Sequence, residues 1–307
     1  MKLPIEFHAN GKLLLTGEYL VLAGARALAL PVRFGQHIFI HEISGGIIEW
    51  ESVAPDGTWF RSRFDTATFR VISTDNHPVA TGLATLLGAA RSMNPDFLPD
   101  STGWNVRVTA TFPLAWGFGS SSTLCSLVAR WAEVPAFDLF RMISQGSGYD
   151  IACATRQSLL YYRLIKGQPE ITPAVAGKAL RENTWFAYIG NKQDSASEVA
   201  SFLQGKKYSG IDLEEVSRLS SAICNAGSPD ELIAFVNEHE AILSAILGRE
   251  PISGSLPSFP GTVKSLGAWG GDFAMFVSSK RKEDVVKRLH EMGFYHLFSY
   301  QELEIAA

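Results

Sequence analysis

The chain has 307 residues, of which 46% are hydrophobic and 19% charged, and this balance predicts a folded protein with a well-buried core in two lobes. The formal net charge is −4, and no long run of Lys or Arg occurs. We therefore expect no nucleic-acid partner and no anionic membrane partner, so a phosphate-bearing ligand would have to be held locally.

Cysteine usage and the first apolar segment indicate the compartment. The three cysteines are far apart and odd in number, which favours neither a disulfide framework nor a paired-thiol zinc site. The apolar residues between positions 13 and 32 are interrupted by Thr16, Glu18 and Arg26, so they do not predict a membrane span. We expect a cytoplasmic protein without a membrane segment.

The first half of the chain mixes strand and helix patterns. Three short apolar runs, at 13–15, 20–22 and 27–30, are separated by glycines and suit buried strands. Alternating apolar and polar residues predict half-buried strands at 37–42 and 105–112. Apolar residues at helical spacing predict helices over 76–91, with Asn76 as the N-cap, over 120–131 and over 138–143, and a strand is expected at 158–164.

The second half continues the mixture, which predicts an α+β fold. The pattern weakens between 166 and 182, so we place a boundary there, giving an N-terminal domain of residues 1–168 and a C-terminal domain of residues 169–307. Strands are expected at 185–189 and 273–278, and helices at 213–222, 231–247 and 283–292.

The strongest local feature is the segment 113–122, PLAWGFGSSS, which stands directly before the amphipathic helix. Gly117 and Gly119 would let the backbone approach an anion, which the unpaired N–H groups of the first helical turn could bind. The hydroxyls of Ser120, Ser121 and Ser122 could ligate a phosphoryl oxygen or Mg²⁺. On local evidence alone, a Gly/Ser turn with a serine cap explains the segment equally well.

Familiar motifs of other enzyme classes are missing from the sequence. It contains no G-x-x-x-x-G-K-[ST], G-x-G-x-x-G, H-E-x-x-H or G-x-S-x-G pattern, which disfavours an ordinary P-loop NTPase, a Rossmann enzyme and a serine hydrolase.

The 113–122 segment resembles the phosphate-binding loop of the GHMP kinases, P-x-x-x-G-L-G-S-S-A. It departs from that pattern at Phe118, which replaces Leu, and at Ser122, which replaces Ala. The segment 10–19, NGKLLLTGEY, resembles the N-terminal family motif P-G-K-L-L-L-x-G-E-Y, with Asn10 in place of Pro.

Two further segments extend the resemblance over almost the whole chain. Residues 265–273, SLGAWGGDF, are similar to the family's C-terminal glycine motif, with Trp269 in place of Gly. Residues 146–152, GSGYDIA, resemble the G-S-G-x-D-[IV]-A segment of phosphomevalonate kinases, and the string GYDIA distinguishes one bacterial subgroup whose acceptor it does not fix. The motifs follow the family's order.

The resemblance implies a two-lobed α+β kinase. The N-terminal lobe would be like a ribosomal small-subunit protein, the C-terminal lobe would be ferredoxin-like, and ATP would bind between them. The expected reaction is transfer of the γ-phosphoryl group of ATP to a small-molecule alcohol or phosphate, which requires positioning and charge neutralisation more than covalent chemistry by the protein.

The resemblance also assigns roles to individual residues of these motifs. Asp150 stands where the family carries its catalytic aspartate, although an aspartate after two glycines could also cap a helix. Lys12 would stabilise developing charge and lower the pKa of Asp150. Glu18 and Tyr19 would lie on the substrate side of the first turn, either in contact with the acceptor or orienting Lys12.

The acceptor and metal sites are expected nearby. Gly148, Gly270 and Gly271 would form side-chain-poor segments at the acceptor, and Lys192 is a candidate ligand for an acceptor phosphate. No acidic residue stands out as a metal ligand, so we expect Mg²⁺ to rest on Ser121 and nucleotide oxygens.

Within the family, the motifs lean toward kinases of mevalonate-pathway intermediates, phosphomevalonate first and mevalonate second. One alternative is an ATP-dependent lyase like diphosphomevalonate decarboxylase. Another is a non-catalytic binding protein, suggested by the departures at Asn10, Phe118 and Trp269. A homodimer is an expected form of assembly.

Overall fold

The computed structural model describes residues 4–190, 198–199, 202, 205, 208–267, 269 and 271–305. Its architecture is mixed α+β with two sheets, as the sequence predicted. The first sheet has eight strands: β1 (Ile5–Leu14), β2 (Ala27–Ser44), β3 (Ile47–Ala54), β4 (Gly57–Asp65), β5 (Val71–Thr74), β6 (Thr102–Ala110), β7 (Leu160–Ile165) and β8 (Gln168–Pro173). Their order is β5-β4-β3-β6-β2-β7-β8, with β1 paired to β2.

The second sheet has four antiparallel strands, ordered β10-β11-β9-β12. These strands are β9 (Thr184–Tyr188), β10 (Thr262–Ser265), β11 (Phe273–Val277) and β12 (Leu297–Ser299).

Helices of both halves pack on these sheets. They are α1 (His77–Met93), α2 (Ser120–Trp131), α3 (Ala136–Ile143), α4 (Tyr149–Ala154), α5 (Lys178–Glu182), α6 (Gly210–Asn225), α7 (Pro229–Leu247), α8 (Lys282–Glu291) and α9 (Tyr300–Leu303). The predicted Asn76 cap is confirmed, because its side chain accepts a hydrogen bond from the Val79 N–H at 3.3 Å.

One predicted strand is wrong. The apolar run at 20–22 lies in a short 3-10 helix, Leu20–Ala23, between β1 and β2. Tyr19 and Gly24 flank this helix with φ values of 60° and 96°, so the chain turns sharply at both ends. A reversal this tight leaves no extended backbone for a strand, although Leu20 is fully buried as its hydrophobicity requires.

The change from one sheet to the other falls later than the expected boundary. Strand β8 pairs with β7 along its whole length, so the first sheet ends at Pro173 and not at residue 168. One hydrophobic cluster joins the two halves, because Leu13 and Leu28 of the first sheet share it with Phe273 and Met275 of the second. The division into two domains stays a prediction.

The described part of the chain holds no helix that is both long and apolar enough to cross a membrane. All three cysteines are buried and free.

Candidate active site

The Gly/Ser segment forms a turn that opens helix α2. Gly117 and Gly119 have φ values of 65° and 89°, in the left-handed region that glycine tolerates best. Gly119 is the N-cap of α2, and no side chain caps this helix end. The hydroxyl-bearing Ser121 is exposed in the first turn, whereas Ser122 is buried. The helix N-terminus is therefore open to an anion such as a phosphate.

Lys12 lies directly against this turn. Strand β1 shifts register between Asn10 and Gly11, and the Lys12 N–H then donates to the carbonyl of Phe118 at 3.1 Å. The Lys12 Nζ donates to the carbonyl of Gly117 at 2.9 Å. A Cβ on Gly11 would lie 2.8 Å from the Phe118 carbonyl oxygen, so this close approach requires glycine. The ammonium group is thus fixed at the edge of the anion-binding turn.

Asp150 is the second residue of α4, whose N-cap is Gly148 with φ 82°. The capping role considered for Asp150 is therefore wrong; its Oδ1 accepts from the Ile151 N–H at 3.0 Å. Burial raises the pKa of Asp150, and the Lys12 charge together with hydrogen bonds from Ile151 and Ser122 partly opposes this rise. A half-buried carboxylate with a raised pKa, close to a lysine, is suited to accept a proton.

Asp272 also belongs to this site, although the sequence analysis did not select it. A Cβ placed on Gly117 would lie 1.7 Å from the Asp272 Oδ2, so the carboxylate packs directly on the turn. Asp272 precedes strand β11 and follows the buried Gly271. The signal available in the sequence was the Gly-Gly-Asp string, but the partner lies 155 positions earlier in the chain.

Phe118, which replaces the family's leucine, is fully buried in an aromatic cluster. Its ring stacks on Phe273 with centroids 4.9 Å apart and on Phe34 at 5.6 Å, and meets Phe112 edge to face at 5.7 Å. The larger residue therefore fills space between the two sheets and anchors the turn to strand β11. The other departure in β1 also has a partner, since the Asn10 amide donates to the carbonyl of Arg156 at 2.7 Å.

Glu18 and Tyr19 occupy a setting different from the one expected. The Glu18 carboxylate is completely buried and pairs with the Lys264 ammonium, with the Nε2 of His239 at 3.8 Å, so it does not face an acceptor. Tyr19 is 7% exposed, and its hydroxyl donates to Glu198 at 3.3 Å. Glu18 does not contact Lys12 either, so both roles considered for it are replaced by a buried ion pair.

Of the remaining residues predicted to bind the acceptor, the structure describes some and not others. Lys192 and Gly270 lie outside the described residues. Gly271 is buried beside Asp272, and Trp269 is 4% exposed with its Nε1 donating to the Glu240 carboxylate at 3.2 Å. The glycine motif is therefore held by a buried tryptophan rather than being a plain glycine run.

The donor groups at the turn fit a magnesium nucleotide. Two features support this fit. The uncapped N-terminus of α2 can bind phosphate oxygens, and the oxygen of the exposed Ser121 hydroxyl can ligate a metal ion. Within the described residues, no group of three or more His, Cys, Asp or Glu side chains could hold a metal ion by itself.

Known proteins resemble this chain in structure, whereas comparison by sequence finds no match. No protein-family model matches the chain, and no curated protein matches its sequence. The L. major mevalonate kinase, solved with R-mevalonate, is similar in structure with a TM-score of 0.67, 16% identity and 97% of each chain covered.

Two bacterial structures agree with this. The phosphomevalonate kinase of Streptococcus pneumoniae, solved with phosphomevalonate and AMPPNP, has a TM-score of 0.73 at 15% identity and covers 96% of this chain and 99% of its own. The galactokinase of Lactococcus lactis, solved with galactose, has a TM-score of 0.61 at 12% identity and covers 97% of this chain and 92% of its own. The chain therefore has the two-lobed fold of the GHMP kinases, as its motifs predicted.

Proposed function

We propose that this protein, whose fold is that of the GHMP kinases, transfers the γ-phosphoryl group of ATP to a small-molecule acceptor. The observation that carries the proposal is the arrangement of Lys12, Asp150 and the uncapped start of α2 around the glycine turn formed by residues 117–119. A cation, a proton acceptor and an anion-binding helix end are the groups that phosphoryl transfer needs.

The roles of the residues follow from their settings. The N–H groups at the start of α2 bind phosphate oxygens, and the Lys12 ammonium stabilises the negative charge that develops during transfer. Asp150 accepts the proton of an acceptor hydroxyl, or orients the acceptor when the attacking group is already an anion. When bound, Mg²⁺ neutralises phosphate charge, and Ser121 is the side chain of the turn that offers it an oxygen.

The acceptor is proposed to be an intermediate of the mevalonate pathway, phosphomevalonate or mevalonate. Support comes from the GSGYDIA segment around Asp150 and from the structural likeness to enzymes solved with those two compounds. The likeness to a galactokinase solved with galactose keeps sugars among the compounds to be tested. Cytoplasmic location and a homodimer stay predictions.

An acceptor panel tests the proposal. The purified protein is incubated with Mg-ATP and, separately, mevalonate, phosphomevalonate, diphosphomevalonate, galactose and homoserine, and ADP is measured by a coupled assay. The control is Asp150→Asn, which keeps the shape of the side chain but cannot accept a proton. We expect one acceptor to raise ADP release at least tenfold with the wild type, and the variant to lose about 10²–10⁴ of this rate.

Two results would contradict the proposal in different ways. Carbon dioxide release from diphosphomevalonate would assign the protein to the lyase alternative. Nucleotide binding without acceptor-dependent ADP release across the panel and its phosphorylated analogues would favour a non-catalytic binding protein.

A further inference from the structure

A buried cluster of charged residues joins three segments of the chain. Lys264, at the end of β10, pairs with Glu18 of the turn after β1, and its Nζ also lies 3.3 Å from the Glu240 carboxylate of α7. The Glu18 and Lys264 side chains are 0% exposed and that of Glu240 is 5% exposed. His239 completes the cluster, with its Nε2 3.8 Å from Glu18.

The charges of the cluster do not balance. Burial and the nearby Lys264 charge lower the pKa of His239 well below its usual value, and its Nε2 accepts a hydrogen bond from the Gly17 N–H at 3.1 Å, so His239 is neutral. One lysine therefore faces two carboxylates, Glu18 and Glu240. Burial raises the pKa of Glu18 to about 7, although the Lys264 charge acts in the opposite direction.

The cluster fixes the loop that carries Asp272. Lys264 Nζ donates to the Ser265 carbonyl at 2.8 Å, and the Ser265 N–H donates to Glu240 at 3.2 Å. The Trp269 indole donates to the same carboxylate at 3.2 Å. Ser265 and Trp269 are thus tied to Glu240, and Asp272, directly before β11, lies against Gly117.

Tyr149 lies between the cluster and the catalytic residues, because it interacts with Lys12 and Asp150 as well as with Glu18. The Lys12 ammonium lies 5.7 Å from the centroid of the Tyr149 ring. Burial raises the pKa of Tyr149 well above its usual value, and the charges of Asp150, Glu18 and Asp272 contribute to this rise. Tyr149 is therefore within electrostatic reach of both the cluster and the transfer site.

We propose that Lys264 is a positioning residue for phosphoryl transfer. By pairing with Glu18 and Glu240 at once, it holds the turn after β1 and the β10–β11 loop together, and so keeps Lys12 and Asp272 against the same glycine turn. The inference rests on the proposed kinase function. The pairing with Glu18 is strongest when Glu18 is ionised, so positioning depends on the charge state of Glu18.

Among the described residues, the titratable groups that interact with Glu18 lie on several elements. They are Lys264 on β10, His239 and Glu240 on α7, Tyr149 on α4 and the adjacent Tyr19. The pKa of Glu18 is raised to about 7, within the pH range of the assay. A pH effect that disappears on replacing Glu18 can therefore be assigned to this carboxyl group.

The test uses the acceptor identified by the panel and compares three purified variants with the wild type. Glu18→Gln imitates the protonated carboxyl, Lys264→Met removes the ammonium, and Lys287→Met removes an exposed lysine of α8 as a control. For each protein, kcat and the KM for ATP are measured from pH 6 to pH 9, and folding is checked by circular dichroism.

We expect the wild type and Glu18→Gln to have similar kcat values at pH 6, where Glu18 carries a proton. Above pH 7 the wild type should become about tenfold faster, a change of about 1.4 kcal/mol. The KM for ATP of the wild type and that of Glu18→Gln should stay within about twofold of each other, because positioning acts on the transfer step and not on ATP binding. Lys264→Met should show the low kcat at every pH, and Lys287→Met should match the wild type.

The outcomes separate this inference from the kinase proposal. A wild-type enzyme without acceptor-dependent transfer would refute the kinase function. An active wild type whose kcat ratio to Glu18→Gln is constant from pH 6 to pH 9 would overturn the positioning role alone. Because Glu18→Gln preserves size and shape, this comparison decides the question even where Lys264→Met does not fold.

Discussion

The contact between Asp272 and Gly117 predicts a specific cost for adding one methyl group. In Gly117→Ala the new Cβ would lie 1.7 Å from the Asp272 Oδ2, well inside any allowed contact, so the carboxylate must move. The backbone also has φ 65°, which costs an alanine about 1–2 kcal/mol. We expect the displaced Asp272 to add about 1–3 kcal/mol, the usual cost of overpacking.

Gly167→Ala provides a matched control. Gly167 has φ 75°, but nothing lies within 4 Å of the position of its Cβ. The control therefore carries the same backbone strain and the same change in unfolded-chain entropy, without the collision. The difference in the free energy of unfolding between the two variants isolates the contact between the turn and Asp272.

The measurements are chemical denaturation and the binding of a fluorescent ATP analogue. Gly117→Ala should be less stable than Gly167→Ala by about 1–3 kcal/mol and should bind the analogue at least tenfold more weakly, because Lys12 donates to the carbonyl of this residue. In the double variant with Asp272→Ala, part of the stability should return. Equal stabilities within about 0.5 kcal/mol and unchanged binding would refute the contact.

Three further predictions follow from the same geometry. Lys12→Met should lower kcat by about 10²–10³, the usual effect of removing one group that stabilises transition-state charge, and an unchanged kcat in the acceptor assay would remove Lys12 from the mechanism. Phe118→Leu should cost about 1–3 kcal/mol in denaturation because its stacking on Phe273 is lost, and a more stable variant would contradict this packing. The pKa of Glu18 is about 7 in the folded protein and near 4.5 in the unfolded chain, so the folded state keeps the proton to higher pH. The stability of the wild type relative to Glu18→Gln should therefore fall by about 3 kcal/mol between pH 4 and pH 8. A constant difference in denaturation midpoints would contradict the raised pKa.

The features that the sequence could reveal are those encoded locally. Helix α2 was predicted with its observed ends because its apolar spacing and the preceding glycines lie within one short segment. Helix α1 was predicted from its spacing and from Asn76 in the same way. The strand expected at 20–22 failed because three apolar residues fit a buried 3-10 helix as well as a strand, and the turn at Tyr19 decided between them.

The missed features depend on residues far apart in the chain. The partner of Glu18 is Lys264, 246 positions later, and the contact of Asp272 is with Gly117. No spacing rule relates such pairs, because they meet only after the second sheet has packed on the first. The motif resemblance selected Glu18 but assigned it either to the acceptor or to orienting Lys12, since a motif indicates which residues are special without indicating what they contact.

The buried cluster is better explained by positioning than by stability. Removing charged groups from water is costly, and a buried ion pair is often no more stabilising than apolar residues of the same size. Here the cost is larger, because one lysine serves two carboxylates and the pKa of Glu18 is raised to about 7, which means that ionising Glu18 opposes folding. An apolar core at this place would hold the sheets together without that cost, but it would not fix the β10–β11 loop through hydrogen bonds to Ser265 and Trp269. Directional bonds define one position for Asp272 above the glycine turn, whereas apolar contacts permit several, so we infer that the cluster lowers stability in exchange for a defined active-site geometry.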